Sequence, residues 1–395
     1  MRVSTNMIYD HGVSSIQNLW SDLLHTSQEV ATGRRVLTPA DDPIAAARAL
    51  DISQSKSINQ QFLTNQDYSV DNLRLIENKL NGVIEIYQYV RTSAIAAGDG
   101  ILTQDELDYF ATDMKSQFDA LLALSNTQDA SGDFLFSGYR SQVQPFVGDI
   151  TGVSYAGDQG TRTMQVSSTR FMPVSFAGTE VFDNTRNFEN APNGFVGRNN
   201  TGTTVFGVDY DPPQPDAANT GRHYDITFDG ANFNVVEYQP GNPTPSLVLS
   251  DPGPVLNFNG ISASVGGVPA AGDHFEIYAP SKNVFENLAL FVDALQRPGS
   301  TGIISGVEFI MGNMDFGIDT VSKVRAQIGS QLVELDQLKD MGSEMNIEYS
   351  DTLSRLQDVD YAEAISRMTQ QRTYLEAAQQ TFMKVSGMSL FNYLS

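Results

Sequence analysis

The final stretch of the chain, from about Leu353 to Leu394, spaces its apolar residues alternately three and four apart. Tyr361, Met368, Leu375 and Phe382 recur every seven positions. Ala364, Ala378 and Val385 follow three of them by three, and Gln371 fills the remaining slot. This is the pattern of a helix that packs along another helix. The other faces hold Gln, Thr, Ser, Arg and Glu, so there is one narrow seam and no second stripe. An isolated helix is marginal in water, and this one needs a partner. The other end of the chain supplies one. Tyr9, Ile16, Leu23 and Val30 also recur every seven positions, with Val13, Trp20 and Ser27 between them. Trp20 is the only tryptophan, and it falls in the seam. Closing a long loop costs only logarithmically more than closing a short one, so separation in sequence is no obstacle. The two seams predict a terminal coiled coil, and their apolar members form a candidate assembly interface. It comprises Tyr9, Val13, Ile16, Trp20, Leu23 and Val30, with Tyr361, Ala364, Met368, Leu375, Ala378, Phe382 and Val385. The competing reading is a pair of ordinary amphipathic core helices.

The first helix is expected over Thr5–Thr32, ended by Gly33. Thr38-Pro39-Ala40-Asp41-Asp42-Pro43 makes a stop, a bend and a fresh start, with Asp42 as N-cap and Pro43 at the first helical position. Leu73, Ile76, Leu80, Val83, Tyr87 and Val90 then keep helical spacing, with Gly82 as the weak point. Gly98-Asp99-Gly100 turns the chain, and Thr103 with Glu106 forms a capping-box pattern. Leu107, Phe110, Met114, Phe118, Leu121 and Leu124 share one face of the next helix, so an antiparallel helical hairpin is expected.

At Ser131 helical periodicity disappears. Residues 131–280 hold 13 of the 16 prolines and 19 of the 32 glycines, and no lysine. Tyr224, Ile226 and Phe228 alternate with polar residues, Asp229-Gly230 offers a turn, and Phe233 and Val235 resume, as in a β-hairpin. Gly272–Ile277 reads as a further strand, and the Pro-rich stretches 211–215 and 239–254 read as loops. Helix returns with Val284, Leu288, Phe291 and Leu295, stops at Pro298-Gly299, and resumes from about Ile303. Gly342 is the expected break before the terminal helix. The fold class is therefore mostly α with an all-β insertion: long antiparallel helices with a terminal coiled coil.

With 395 residues, two to four domains are expected. A net charge of −23 argues against nucleic acid, and no run is long enough to span a membrane. The absence of cysteine excludes disulfides and thiolate metal sites. Met1–Met7 lack an apolar core with a cleavage site. That predicts cytoplasmic residence, or export by a route that reads no cleaved signal.

Catalytic motifs are missing. There is no HExxH, no GxSxG elbow and no phosphate-binding Gly-rich loop, so no enzyme, cofactor or metal site is expected. His11 and His25 stand too far apart for one metal and read as exposed or interfacial; His223 and His274 read as solvated. Asp41-Asp42 is explained by capping. Asp358-Val359-Asp360, four residues after Ser354, reads as a helix start or an inter-helix polar contact.

Several segments carry a resemblance. They are Arg2-Val3-Ser4-Thr5-Asn6-Met7, Thr32-Gly33-Arg34-Arg35-Val36, Pro39-Ala40-Asp41-Asp42-Pro43-Ile44-Ala45 and Gly132-Asp133-Phe134-Leu135-Phe136-Ser137-Gly138 with Pro145-Phe146. Near the other end, Val324–Gly329 and Ser354–Ala362 belong with them. The chain resembles the bacterial flagellin superfamily over about residues 1–145 and 280–395. The ending Ser389–Leu394 is similar to members placed between hook and filament rather than to the filament subunit. The resemblance implies a multi-domain rod. Residues 1–42 and 346–395 would be the terminal coiled-coil assembly domain, 43–130 and 281–345 a helical rod domain, and 131–280 an outward-facing β-rich insertion. It also implies a structural adaptor, outside the cell, at the hook–filament junction of the flagellum, passed through the flagellar type III export apparatus. The implied partners are a homo-oligomeric ring, a neighbouring hook-associated protein, flagellin, and a cytoplasmic export chaperone on the C-terminal helix. A filament flagellin and an extracellular adhesin carried by the insertion are the alternatives.

Overall fold

The computed structural model describes residues 5–98, 102–183, 192–197, 199–211, 221–239, 242–297 and 303–387. In chain order the helices are α1 (Thr5–Thr32), α2 (Pro43–Ala97), α3 (Gln104–Ser125), α4 (Gly178–Phe182), α5 (Val284–Gln296), α6 (Ile303–Gln357) and α7 (Tyr361–Gly387). The strands are β1 (Phe146–Asp149), β2 (Gly152–Tyr155), β3 (Thr163–Gln165), β4 (Phe171–Pro173), β5 (Asn193–Val196) and β6 (Thr203–Tyr210). They continue with β7 (Arg222–Phe228), β8 (Phe233–Gln239), β9 (Asn242–Asp251), β10 (Val255–Phe258), β11 (Ile261–Val268) and β12 (His274–Ala279). The fold is mostly helical with an antiparallel β insertion. It divides into two compact units: Met1–Thr64 with Leu338–Ser395, and Asn65–Gln337. Among the described residues, no helix is long and apolar enough to cross a membrane.

In the first unit, Gly33 ends α1 with φ +72°, a conformation that glycine adopts without strain. Asp42 then starts α2: its Oδ1 accepts the Ala45 N–H at 3.0 Å. That bond, and next Arg35, hold the Asp42 carboxyl below the usual carboxylate range. The break expected at Gly342 is not there. α6 runs through Gly342, takes in Leu353, and ends at Gln357. A Cβ on Gly342 would lie 2.9 Å from Leu63 Cδ2, and its carbonyl accepts the Asn59 amide at 2.7 Å. Glycine at this position permits close packing against α2 and does not end the helix. The actual break is Asp358–Asp360, where the Asp360 carboxylate accepts the Ala362 N–H at 2.9 Å and caps α7.

In the second unit, Leu73, Ile76, Leu80, Val83, Tyr87 and Val90 of α2 are all fully buried, as their spacing predicts. The Thr103–Glu106 capping box opens α3. Gly82 stands against α3, where a Cβ would approach Leu124 Cδ1 to 3.2 Å. Its missing side chain therefore lets the two helices close. Asp99 and Gly100 of the predicted turn, Pro298-Gly299 and Ser389–Leu394 lie outside the described residues, as does most of 211–215.

The insertion holds a five-stranded antiparallel sheet, β5-β12-β7-β8-β9, and a three-stranded one, β10-β11-β6. Their shared core includes Tyr224, Ile226, Phe275 and Ile277 with Leu256, Ile261 and Val265. The β7–β8 hairpin forms as predicted, with Phe228 opposite Phe233. The expected loop over 239–254 is a misreading, because β9 occupies Asn242–Asp251 in spite of Pro243 and Pro245. β9 is an edge strand, and an edge strand has a side on which no N–H is needed. The insertion is also not purely β, since α4 lies within it.

Candidate assembly surface and a buried polar cluster

Within the first unit, α1 and α7 pack antiparallel. Tyr9 meets Phe382 with ring centroids 5.1 Å apart, and Glu29 meets Arg367 at 3.1 Å. Gly33 lies under Tyr361, whose hydroxyl a Cβ would approach to 2.8 Å. Gly12 leaves room for the Phe382 ring, which a Cβ would approach to 2.6 Å. Backbone hydrogen bonds fasten the ends of the pair. The Arg35 N–H donates to the Gln357 carbonyl at 2.7 Å, and the Val359 N–H to the Gly33 carbonyl at 3.0 Å.

His25 bridges two carboxylates, with Nδ1 3.1 Å from Glu29 and Nε2 3.0 Å from Asp41. Asp41 also accepts the N–H groups of Leu37 and Thr38. The Ser354 hydroxyl donates to Asp358. The Asp358–Asp360 pair is thus a helix start with polar contacts.

The candidate interface residues fall into three groups. Ala364 and Leu375 are buried. Val13, Ile16, Leu23, Val30, Met368, Ala378 and Phe382 are half-buried. Tyr9 (55%), Trp20 (52%), Tyr361 (52%) and Val385 (47%) are exposed. Among the described side chains of α1, the most deeply covered are the polar pair Thr26 and Glu29. Pairing within the chain therefore leaves much of the apolar stripe uncovered. Leu24, Ile365, Tyr374 and Met383 add exposed apolar side chains that the heptad reading missed. A signal was available: Leu24 directly follows Leu23 and Ile365 directly follows Ala364, which widens each stripe beyond one seam.

A second cluster lies in Asn65–Gln337, on the face of the five-stranded sheet opposite its apolar core. Residues alternate between faces along a strand. His223 and Asp225 on β7 therefore share this face with His274 and Glu276 on β12, and Asp225 is the register partner of Glu276. His274 Nε2 lies 2.7 Å from Asp225 Oδ1 and 3.1 Å from Glu276 Oε1. His223 Nε2 lies 3.5 Å from Glu276 Oε2 and 3.3 Å from Arg297 Nη1. The Ser305 hydroxyl donates to Glu276 at 2.7 Å.

Burial opposes charge on His274, but hydrogen bonds to Asp225 and Glu276 outweigh it and push its pKa up to about 10. Burial, with Arg297 beside it, holds the His223 pKa down. Burial would raise Glu276, yet hydrogen bonds from His223 and His274 hold it well below the carboxylate range. The expectation of solvated histidines fails here: His223 is wholly buried and the His274 side chain is 21% exposed. The pattern His-x-Asp on one strand and His-x-Glu on the next was the missed signal, because i and i+2 share a face. Donor atoms of His223, Asp225 and Glu276 all lie within 4.8 Å of one another, a spacing that can hold a metal ion.

The terminal arms match known sequences. Residues 3–141 match the bacterial flagellin N-terminal helical region, and residues 311–394 match the bacterial flagellin C-terminal helical region. Together the two matches span more than half of the chain, and the chain belongs to the bacterial flagellin superfamily. It is similar to flagellar hook-associated protein 3 of Salmonella typhimurium, 27% identical over 391 residues covering 99% of both chains. The protein of the same name from Escherichia coli is 26% identical over 392 residues, again covering 99% of each. Among solved structures, FlgL of Xanthomonas campestris shares the fold, with a TM-score of 0.55 at 24% identity over 77% of this chain and 99% of that one. The flagellar junction protein FlgL of Legionella pneumophila gives 0.53 at 22% identity, over 79% and 100%.

Proposed function

We propose that the chain is a non-enzymatic structural subunit of the flagellum that forms a ring between a hook-associated neighbour and the flagellin filament. The observation that carries this reading is the uncovered apolar stripe on α1 and α7, which holds Tyr9, Trp20, Tyr361 and Val385. Exposed apolar side chains grouped on one face mark a protein interaction site. Full-length similarity to curated hook-associated proteins favours the junction over the filament.

In the assembly, Tyr9, Val13, Ile16, Trp20, Leu23 and Val30, with Tyr361, Met368, Ala378, Phe382 and Val385, cover one another between copies, while Ala364 and Leu375, buried within the chain, hold α7 to α1. Residues 1–42 and 346–395 form the assembly layer. Residues 43–130 and 281–345 form a helical layer that transmits torque, and 131–280 face outward. The subunit leaves the cell through the flagellar type III apparatus, with a cytoplasmic chaperone holding α7 beforehand. A deletion strain tests this: it is expected to build hooks, release flagellin into the medium and swim poorly. Normal filaments on that strain overturn the reading.

A further inference from the structure

The cluster on β7 and β12 is expensive for a sheet. Asp225 and Glu276 stand opposite each other on neighbouring strands, where like charges destabilise pairing. The Arg297 guanidinium lies 3.3 Å from His223, is bound to Asp293 at 3.1 Å and lies over the Tyr238 ring at 4.9 Å. The two carboxylates share one imidazole, His274, and Glu276 also takes the Ser305 hydroxyl and stands 3.5 Å from His223.

We propose that His223, Asp225 and Glu276, whose donor atoms lie within 4.8 Å of one another, bind one divalent transition-metal ion with His274 drawn in as the fourth donor, zinc by the type of donors. Two imidazole nitrogens and two carboxylate oxygens make a four-coordinate zinc set, with bonds of roughly 2.0–2.2 Å. Tetrahedral donors around such an ion stand roughly 3.4 Å apart. His274 stands 2.7 and 3.1 Å from the two carboxylates and His223 stands 3.5 Å from Glu276, so each of these three pairs lies near that value. Two carboxylates balance the charge of the ion, so the loaded site is neutral. Calcium and magnesium fit poorly, since they call for about six or more oxygens.

Ser305 acts behind the donors, fixing Glu276 through its hydroxyl, as groups behind metal ligands commonly do. The side chains of His274 and Asp225 are 21% and 22% exposed, which opens a route from solvent. On loading, Arg297 turns away from His223 and stays with Asp293 and Tyr238. The bound ion ties β7 to β12 and stabilises the folded insertion by mass action.

The test uses full-length protein dialysed against EDTA and titrated with zinc chloride, followed by calorimetry and thermal melting. Cobalt(II) serves as the spectroscopic probe. One ion per chain, a higher melting temperature and the strong visible absorption of four-coordinate cobalt are expected. Asp225→Asn and His274→Gln are each expected to weaken zinc at least tenfold, with an unchanged far-ultraviolet spectrum. Ser305→Ala leaves all four donors in place and is expected to weaken zinc by roughly 10–100-fold, so it decides the matter if a donor variant does not fold. His11→Gln is expected to bind like the parent. Absence of saturable one-to-one binding overturns the proposal, as does undiminished binding in Asp225→Asn, His274→Gln and Ser305→Ala.

Discussion

Two glycines twelve residues apart on α6, Gly317 and Gly329, should respond to the same substitution with opposite sign. Replacing glycine by alanine inside a helix stabilises it by about 1 kcal/mol, because the unfolded chain loses freedom. At Gly329 a Cβ meets nothing within 4 Å, so that gain is expected in full. At Gly317 a Cβ would lie 2.8 Å from Tyr87 Cε2 and 3.2 Å from its Cδ2. Tyr87 is 1% exposed and has nowhere to move. Overpacking a core costs about 1–3 kcal/mol, which cancels or exceeds the helical gain. The expected outcome is a net loss of about 1 kcal/mol for Gly317→Ala.

Both residues lie in Asn65–Gln337. In a unit of this size, 1 kcal/mol moves the melting temperature by about 2 °C or a little more. The assay is hydrogen exchange of α6 amides in the two variants, with thermal melts beside it. Tyr87→Leu combined with Gly317→Ala should lose less than the two single losses added, because the clash goes with the ring. If Gly317→Ala raises stability as much as Gly329→Ala, the close approach of α2 and α6 at Tyr87 is wrong.

Four further outcomes follow from the same structure. Leu375→Ala removes a buried side chain between α7 and α1, and is expected to cost about 2–4 kcal/mol, read as faster exchange in α1. Trp20→Ser should change the stability of the isolated chain by no more than about 0.5 kcal/mol, yet abolish complementation of a deletion strain; full motility refutes its place in the interface. The Asp42 carboxyl is held below its unfolded value, so its support for α2 is present above that value and is lost as pH falls through the folded one. Asp42→Asn should accordingly flatten the acid limb of exchange in the first turn of α2. Limited proteolysis of the unassembled subunit should trim both ends first and leave a core near 45–345, and uniform resistance of the ends counts against a surface completed only by assembly.

The helical arms were legible because their signals are local. Thr103 with Glu106, Asp42 with Pro43, and the apolar spacing of α2 each fix an element without reference to distant residues. Gly342 misled because glycine has two uses, and only the position of Leu63 distinguishes close packing from a helix end. Pro243 and Pro245 misled because tolerance of proline depends on whether a strand is central or at an edge, which a linear pattern does not carry. The heptad stripe marks apolar positions on α1 and α7, of which Tyr9, Trp20, Tyr361 and Val385 are exposed, and it leaves out the exposed Leu24, Ile365, Tyr374 and Met383. The spacing alone could not say that Thr26 and Glu29, rather than Trp20, would be the covered positions. The His-x-Asp and His-x-Glu pairs were invisible as a group until β7 and β12 were in register.

Main-chain hydrogen bonds fasten Gly33 and Arg35 to Gln357 and Val359, and the Arg35 guanidinium adds a bond to the Leu356 carbonyl. This fastening sets a common origin from which both terminal helices are measured. Each helical residue advances by about 1.5 Å and turns by about 100°, so that origin dictates which side chains point outward along their whole length. Inserting one residue just beyond it would rotate the whole exposed apolar stripe by about 100°, while exchanging side chains would not shift the phase. Such a geometry can accept new neighbours through surface substitutions and still keep its indexing.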